Sequence, residues 1–428
     1  MPAESSTAPA AAPLTSARKN PTSPAASPVA APSPAARVRV RWLLALALAV
    51  AAFNLRPAVA ALGPQLDQVR GSLHMNAGVA GLLTALPSLC FALVGLAAPH
   101  LARRLGPAVT VCFGMGAITL GVAARSFAPN SAAFLLLSAL ALAGIAVSNV
   151  LMPVLVKRYF PDRIGPVTGL YSMSLALGTS VAAAVAVPLT SALGGGWRVG
   201  LGVWSGAAAV ALVLWLAQAA MLGRDGAGAP SAHAPRIRIT RSPTAWLLGV
   251  FFGLQATAAY ATMGWLPQIF QDSGISATES GLLLAVTMAV GAPLSFLIPS
   301  LAARLPHQGP VAAVLAACGL ASYAGLAFAP GAAPWLWALL LGIANCAFPL
   351  VLTMIGLRSR TSEGVAKLSA FVQGVGYLIS VPGPVLIGVL YQREHGWHGA
   401  LALLAGLMAV QLVLGLRAGR PRQIEDEV

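Results

Sequence analysis

Apolar residues run through this chain in long blocks, separated by short stretches that collect the glycines, prolines and charges. Each block is roughly twenty residues, the length a helix needs to cross a ~30 Å hydrocarbon core. The ten-residue alternating segments of a membrane β-barrel are not seen. The pattern predicts twelve helices, at about 41–64, 76–98, 107–127, 131–156, 165–193, 197–220, 244–270, 278–301, 309–329, 333–356, 365–391 and 397–417. The main polar interruption is "MLGRDGAGAPSAHAPRIRITRSP" at 221–243, which reads as a linker between two six-helix halves. Residues 1–37 form a Pro/Ala/Ser-rich tail that cannot bury enough apolar surface to fold, so disorder is expected there. The expected organisation is therefore a tail (1–37), a first bundle (38–220), a linker (221–243), a second bundle (244–418) and a short end (419–428).

The halves repeat. "GLLTALPS" at 81–88 answers "GLLLAVTM" at 281–288, and "HLARRLGP" at 100–107 answers "SLAARLPH" at 300–307. "GGWRVGLGVWSG" at 195–206 answers "HGWHGALALLAG" at 395–406, and these three pairs share one offset of 200. A further pair, "AGIAVSN" at 143–149 and "LGIANCA" at 341–347, is offset by 198. Matches in a common register point to two parallel six-helix repeats. The repeat also needs the first span. Arg37, Arg39 and Arg41 before an apolar run resemble a signal peptide, but the run is too long for one and the span is expected to be retained.

Composition supports an all-α membrane protein of twelve transmembrane helices in two pseudo-symmetric bundles. The chain is 57% hydrophobic and 9% charged, against about 25% charged for a soluble domain. Its net charge of +15 does not indicate nucleic-acid binding, because the basic residues are dealt out among short inter-span loops. One side collects Arg103, Arg104, Lys157, Arg158, Arg163, Arg236, Arg238, Arg241, Arg304, Arg358, Arg360, Lys367 and both chain ends. The other holds Arg70, Arg125, Arg198 and Arg393. The positive-inside bias then places the N-terminus, linker and C-terminus in the cytoplasm of a bacterial-type cell. The four cysteines, Cys90, Cys112, Cys318 and Cys346, all lie in apolar runs without CxxC or Cys/His grouping, so they read as small hydrophobes. No catalytic constellation, cofactor motif or metal site is found.

One basic residue fits neither side. In "WLLALALAVAAFNLRPAVAALGPQL", Arg56 lies fifteen residues beyond Arg41, roughly 22 Å along a helix and inside the hydrocarbon zone. Arginine at such depth costs about 2.5–3.5 kcal/mol on insertion scales, so it must face a cavity or a partner. Every Asp and Glu lies in a tail, loop or helix end, leaving a planar fork of donors suited to a small anion or a strongly polar acceptor. Pro57 disfavours helical geometry at Arg56 and frees backbone groups beside it. The competing reading is a structural arginine held by carbonyls and water.

Other polar residues share this depth: Asn54, Gln255, Asn149, Asn345, Tyr171, Ser172, Gln373 and Tyr377. Each could instead make an interhelical hydrogen bond, typically worth ~0.6 kcal/mol. Together with Arg56 they form the candidate substrate-binding set, to which Trp265 is added as a cavity cap. Trp265, Trp335, Trp337 and Trp397 also suit membrane-interface anchors. "GYLISVPGPVLIG" at 376–388 is a candidate bending element.

"NLRPAVAALGP", "GLLTALPSLCFALVGLAAPHLARRLG", "GLQATAAYATMGWLPQIFQDSGISATESGLL" and "LSAFVQGVGYLISVPGPVLIGVL" together resemble the cyanate / 2-nitroimidazole transporter family of the major facilitator superfamily, from about residue 40 to 418. The resemblance implies the major facilitator fold, a non-enzyme, and movement of cyanate-like anions or nitroimidazole-like compounds. The superfamily's loop signature after span two carries an Asp where this chain has Arg103, while Arg104 and Gly106 match. Arg103, Arg104 and Arg304 are therefore expected to serve topology and gating contacts. The spans lack an internal Asp, Glu or His for proton coupling, which favours facilitated diffusion, exchange, or a proton carried by the solute itself. The expected partners are a small-molecule substrate and the lipid bilayer, with the chain a monomer. A broad drug exporter and a non-transporting receptor are the alternatives.

Overall fold

The computed structural model describes residues 34–62, 65–75, 77–194, 196–222 and 238–427. The expected tail to residue 33 and most of the linker lie outside the described residues. The described residues from Arg41 onward form one compact unit. The described secondary structure is helical, with no strand among the described residues.

Span one is Trp42–Ala60. Span two is a bent pair, Leu86–Gly95 and Ala98–Leu105, meeting at 48°. Spans three to six are Pro107–Arg125, Ser131–Tyr159, Pro161–Ala186 and Trp197–Ala220. Spans seven to twelve are Pro243–Asp272, Glu279–Ala302, Gly309–Phe328, Pro334–Leu357, Ser362–Glu394 and His398–Ala418. The segment "HLARRL", read from sequence as a loop, is helical instead, within a short helix Ala98–Leu105 that Gly106 ends. Its Ala98 and Ala102 are buried while Arg103 and Arg104 point outward, so one apolar face is enough to continue the chain as a short amphipathic helix.

Local chemistry sets the ends of these helices. Asn130, Ser242, Ser276 and Thr361 each accept a backbone N–H of the following turn, capping spans four, seven, eight and eleven. Proline sets the breaks within spans. Span one stops at Asn54 and restarts at Pro57, leaving Leu55 and Arg56 in a turn. Span ten breaks at Asn345–Cys346, because Pro349 has no N–H to offer the Asn345 carbonyl. Span eleven breaks at Val381–Pro382 within the stretch read as a bending element.

Small residues let spans from the two halves close on the basic face. A Cβ at Gly169 of span five would stand 2.5 Å from the Phe296 carbonyl oxygen of span eight. Nearby, Ser369 of span eleven donates to the Val150 carbonyl of span four at 2.8 Å. The C-terminal segment finishes this face. Buried Ile424 donates its N–H to the Arg358 carbonyl, and Glu425 accepts from Ser359 Oγ (2.5 Å) and the Arg360 N–H (2.9 Å). Asp426 takes the Arg360 guanidinium in a two-pronged pair at 2.7 Å. Glu427 accepts from Ser242 and Thr244 at the start of span seven. Arg358 itself is buried, donating to the Ala418 and Gly419 carbonyls and to Gln308, and burial lowers its pKa to about 10.

Candidate solute site

Arg56 occupies the turn that Pro57 imposes inside span one and is half-buried. Its guanidinium lies over the ring of Phe348, 5.6 Å from the centroid. The Tyr377 hydroxyl stands close enough to feel its charge. No carboxylate among the described residues pairs with it. A cation in low dielectric without a counter-charge rests here on one ring quadrupole and keeps donors free for an acceptor.

From Tyr377 a buried network leads to the seam between halves. Asn149 Nδ2 donates to Gln373 Oε1 at 3.0 Å, and Gln373 Nε2 donates to Ser369 Oγ at 2.8 Å. Ser369 then reaches span four as above. One turn separates Gln373 from Tyr377, so span eleven presents both on one face. Asn149, Gln373 and Tyr377, placed from sequence in the candidate substrate-binding set, lie together at this seam near Arg56.

A second cluster lies wholly in the later half. Gln255 Nε2 donates to both the carbonyl and Oδ1 of Asn345 at 3.4 Å, and Gln411 Nε2 donates to Gln255 Oε1 at 2.9 Å. The Asn345 carbonyl freed by Pro349 also accepts from the Phe348 N–H at 3.2 Å. Phe348 therefore joins the two clusters, its backbone in one and its ring beneath Arg56.

Other expected members stand elsewhere. Asn54 donates to the Val50 carbonyl of its own helix at 2.9 Å and lines a recess with Ser174 and Val210. Tyr171 and Ser172 are buried on span five, and neither the Tyr171 hydroxyl nor Ser172 Oγ has a hydrogen-bond partner among the described residues. Trp265 sits near the face opposite the basic one, donating to the Pro384 carbonyl at 3.2 Å and packing on Trp397 at 5.8 Å. There Trp397 and Tyr391 both donate to Asp272. Trp265 is thus seated in an aromatic cluster of spans seven, eleven and twelve, apart from Arg56. On the basic face Arg103 lies 3.9 Å from Glu363, which also pairs with Lys367 at 3.1 Å, so Arg103 makes a cross-half contact. Arg104 and Arg304 are exposed.

Sequence reasoning passed over Phe348, Tyr260, Ser369 and Gln411. Gln411 carried a readable signal, an amide in the middle of the apolar span-twelve run. Phe348 and Tyr260 carried none, since aromatic rings in apolar spans are ordinary packing residues.

Residues 41–356 match the Major Facilitator Superfamily. The chain is 36% identical to the uncharacterized transporter YycB of Bacillus subtilis (strain 168), over 91% of this chain and 96% of that one. It is 34% identical to the 2-nitroimidazole transporter of Escherichia coli (strain K12), over 90% and 97%, and 32% identical to the cyanate transport protein CynX of the same organism, over 86% and 96%. The fold is that of the proton:xylose symporter XylE, with a TM-score of 0.74 at 9% identity, covering 91% of this chain and 99% of that structure.

Proposed function

The chain belongs to the major facilitator superfamily, and on that premise we propose that it moves a small anionic or strongly polar solute by alternating access, with Arg56 as the main binding group. The observation that carries this reading is the half-buried guanidinium of Arg56, without a carboxylate among the described residues, set in a helix break between Phe348 and Tyr377. A cyanate-like anion and a nitro group both offer acceptors to such a fork, in keeping with what two of the relatives are named for. Asn149, Gln373 and Tyr377 brace the site from the seam between the halves, and Gln255 and Asn345 hold Phe348 in place. The two bundles, 38–220 and 244–418, rock about the site. The basic face is cytoplasmic and carries both termini, in the plasma membrane of a bacterial-type cell. Arg103 contributes a gating contact there, while Arg104 and Arg304 serve topology. The carrier works without a coupling acid in its spans, as a facilitator, an exchanger, or a carrier of solute together with its proton.

The test is ligand-induced thermal stabilisation of purified protein, wild type beside Arg56→Ala, with cyanate, nitrate, short carboxylates and nitroimidazoles, followed by flux of the best ligand into vesicles. Stabilisation of wild type and loss in the variant is the expected result. Equal stabilisation of both proteins would make Arg56 structural, and binding without flux would favour a receptor.

A further inference from the structure

Resting on the reading of Arg56 as the binding group, we propose that the preferred solute is a planar aromatic monoanion, an aryl or heteroaryl carboxylate. The surroundings of Arg56 are aromatic to a degree that a bare inorganic anion does not call for. Phe348 and Phe252 lie 5.7 Å apart, Phe252 and Tyr377 5.0 Å, and Tyr377 and Phe91 4.7 Å. These rings come from spans ten, seven, eleven and two, so the wall is built by both halves. Phe91, Phe252 and Tyr377 are buried, whereas Phe348 and Tyr260 keep part of their surface open. Tyr260 stands close enough to Arg56 to feel its charge.

The chemistry follows from this lining. One guanidinium balances one negative charge, and the chain keeps its other arginines and lysines at span ends and in loops. A divalent anion would bring a second charge into low dielectric with nothing to neutralise it. A carboxylate gives two in-plane oxygens to the fork, and an attached ring can pack offset or edge-on against the open surfaces of Phe348 and Tyr260. A linear anion satisfies the charge and leaves that surface unused.

The experiment is a thermal-shift titration of the full-length protein with benzoate, cyclohexanecarboxylate, acetate, cyanate and sulfate, in wild type, Phe348→Leu and Arg56→Ala. Benzoate is expected to half-saturate at roughly tenfold lower concentration than cyclohexanecarboxylate or acetate, the gain of one good aromatic contact. Phe348→Leu is expected to remove most of that advantage and leave the acetate response in place; Arg56→Ala is expected to abolish every response. If wild type does not distinguish benzoate from cyclohexanecarboxylate and acetate, or favours cyanate or sulfate over benzoate, while Arg56→Ala still abolishes binding, the aromatic class is wrong and the Arg56 site stands. If no anion stabilises wild type, or Arg56→Ala binds as wild type does, the underlying reading fails with it. The wild-type comparison of benzoate with cyclohexanecarboxylate decides the matter even if Phe348→Leu does not fold.

Discussion

Gln255 donates to Asn345 while accepting from Gln411, so one side chain ties spans seven, ten and twelve together. Asn54, also buried in an apolar span, donates only to the Val50 carbonyl of its own helix. Truncating the two should therefore have different effects. Gln255→Leu strands the Gln411 amide and the Asn345 side-chain oxygen, an expected loss of about 1–2 kcal/mol. Asn54→Ala removes a local bond and should cost at most ~0.6 kcal/mol. Thermal denaturation of both variants in one detergent checks the order, and equal losses would contradict it. The contrast also marks what sequence can tell. Arg56 stood out because a charge in an apolar run has a known cost, and Pro57 beside it announced the break. Asn54 and Gln255 could not be ranked, because depth and polarity are local properties whereas the direction of a side chain depends on which helices surround it. Trp265 illustrates the same limit: its partner, the Pro384 carbonyl, is 119 residues away.

Proline breaks show how an element carries a site. Pro57 cannot donate to the Phe53 carbonyl, and span five meets that carbonyl with Gly178, where a Cβ would come within 2.2 Å of the oxygen. Backbone cannot yield to that contact as a flexible side chain would. Gly178→Ala is expected to force span one away from span five, at about 1–3 kcal/mol, and to weaken solute binding because Arg56 sits three residues beyond Phe53. Gly206→Ala on span six, where a Cβ meets nothing within 4 Å, is the matched control. Loss of stability in both variants, or in neither, would remove the argument. The breaks in spans one and eleven were legible because their prolines stand beside Arg56 and within "SVPGP". The break in span ten was less so, since the proline that causes it lies four residues after the carbonyl it frees. Span two was misjudged at its end for a related reason. Two arginines flanked by proline and glycine look like a loop, yet an alanine face a turn long was enough to keep them helical.

For the molecule as a whole, the proposed alternating access makes the seam on the basic face the place that must open to release solute on that side. Four kinds of contact close it: the packing of Gly169 on Phe296, the Ser369 bond to Val150, the Asn149–Gln373 pair, and the Arg103–Glu363 pair. They differ in strength. The arginine pair is long and both side chains are more than a third exposed, so solvent and salt leave it at ~0–1 kcal/mol. The Asn149–Gln373 bond is buried, and Gln373 is also braced by Ser369, so its loss should shift the balance further. It also sits one turn from Tyr377, which lies near enough to Arg56 to feel its charge, so the proposed site and the seam are neighbours. Replacing Gln373 with Leu should therefore make opening of the basic face about fivefold more frequent, corresponding to about 1 kcal/mol, whereas Arg103→Ala should change it less than twofold at moderate salt. Ile164 reports on this seam, being buried and packed across it against Gly356. With the four native cysteines replaced, the maleimide labelling rate of Ile164→Cys measures the opening directly. A faster rate with Gln373→Leu and a nearly unchanged one with Arg103→Ala would place the latch in the buried amides. The reverse order would place it in the surface charges, and would make the Asn149–Gln373 pair a packing contact with no part in the transport cycle.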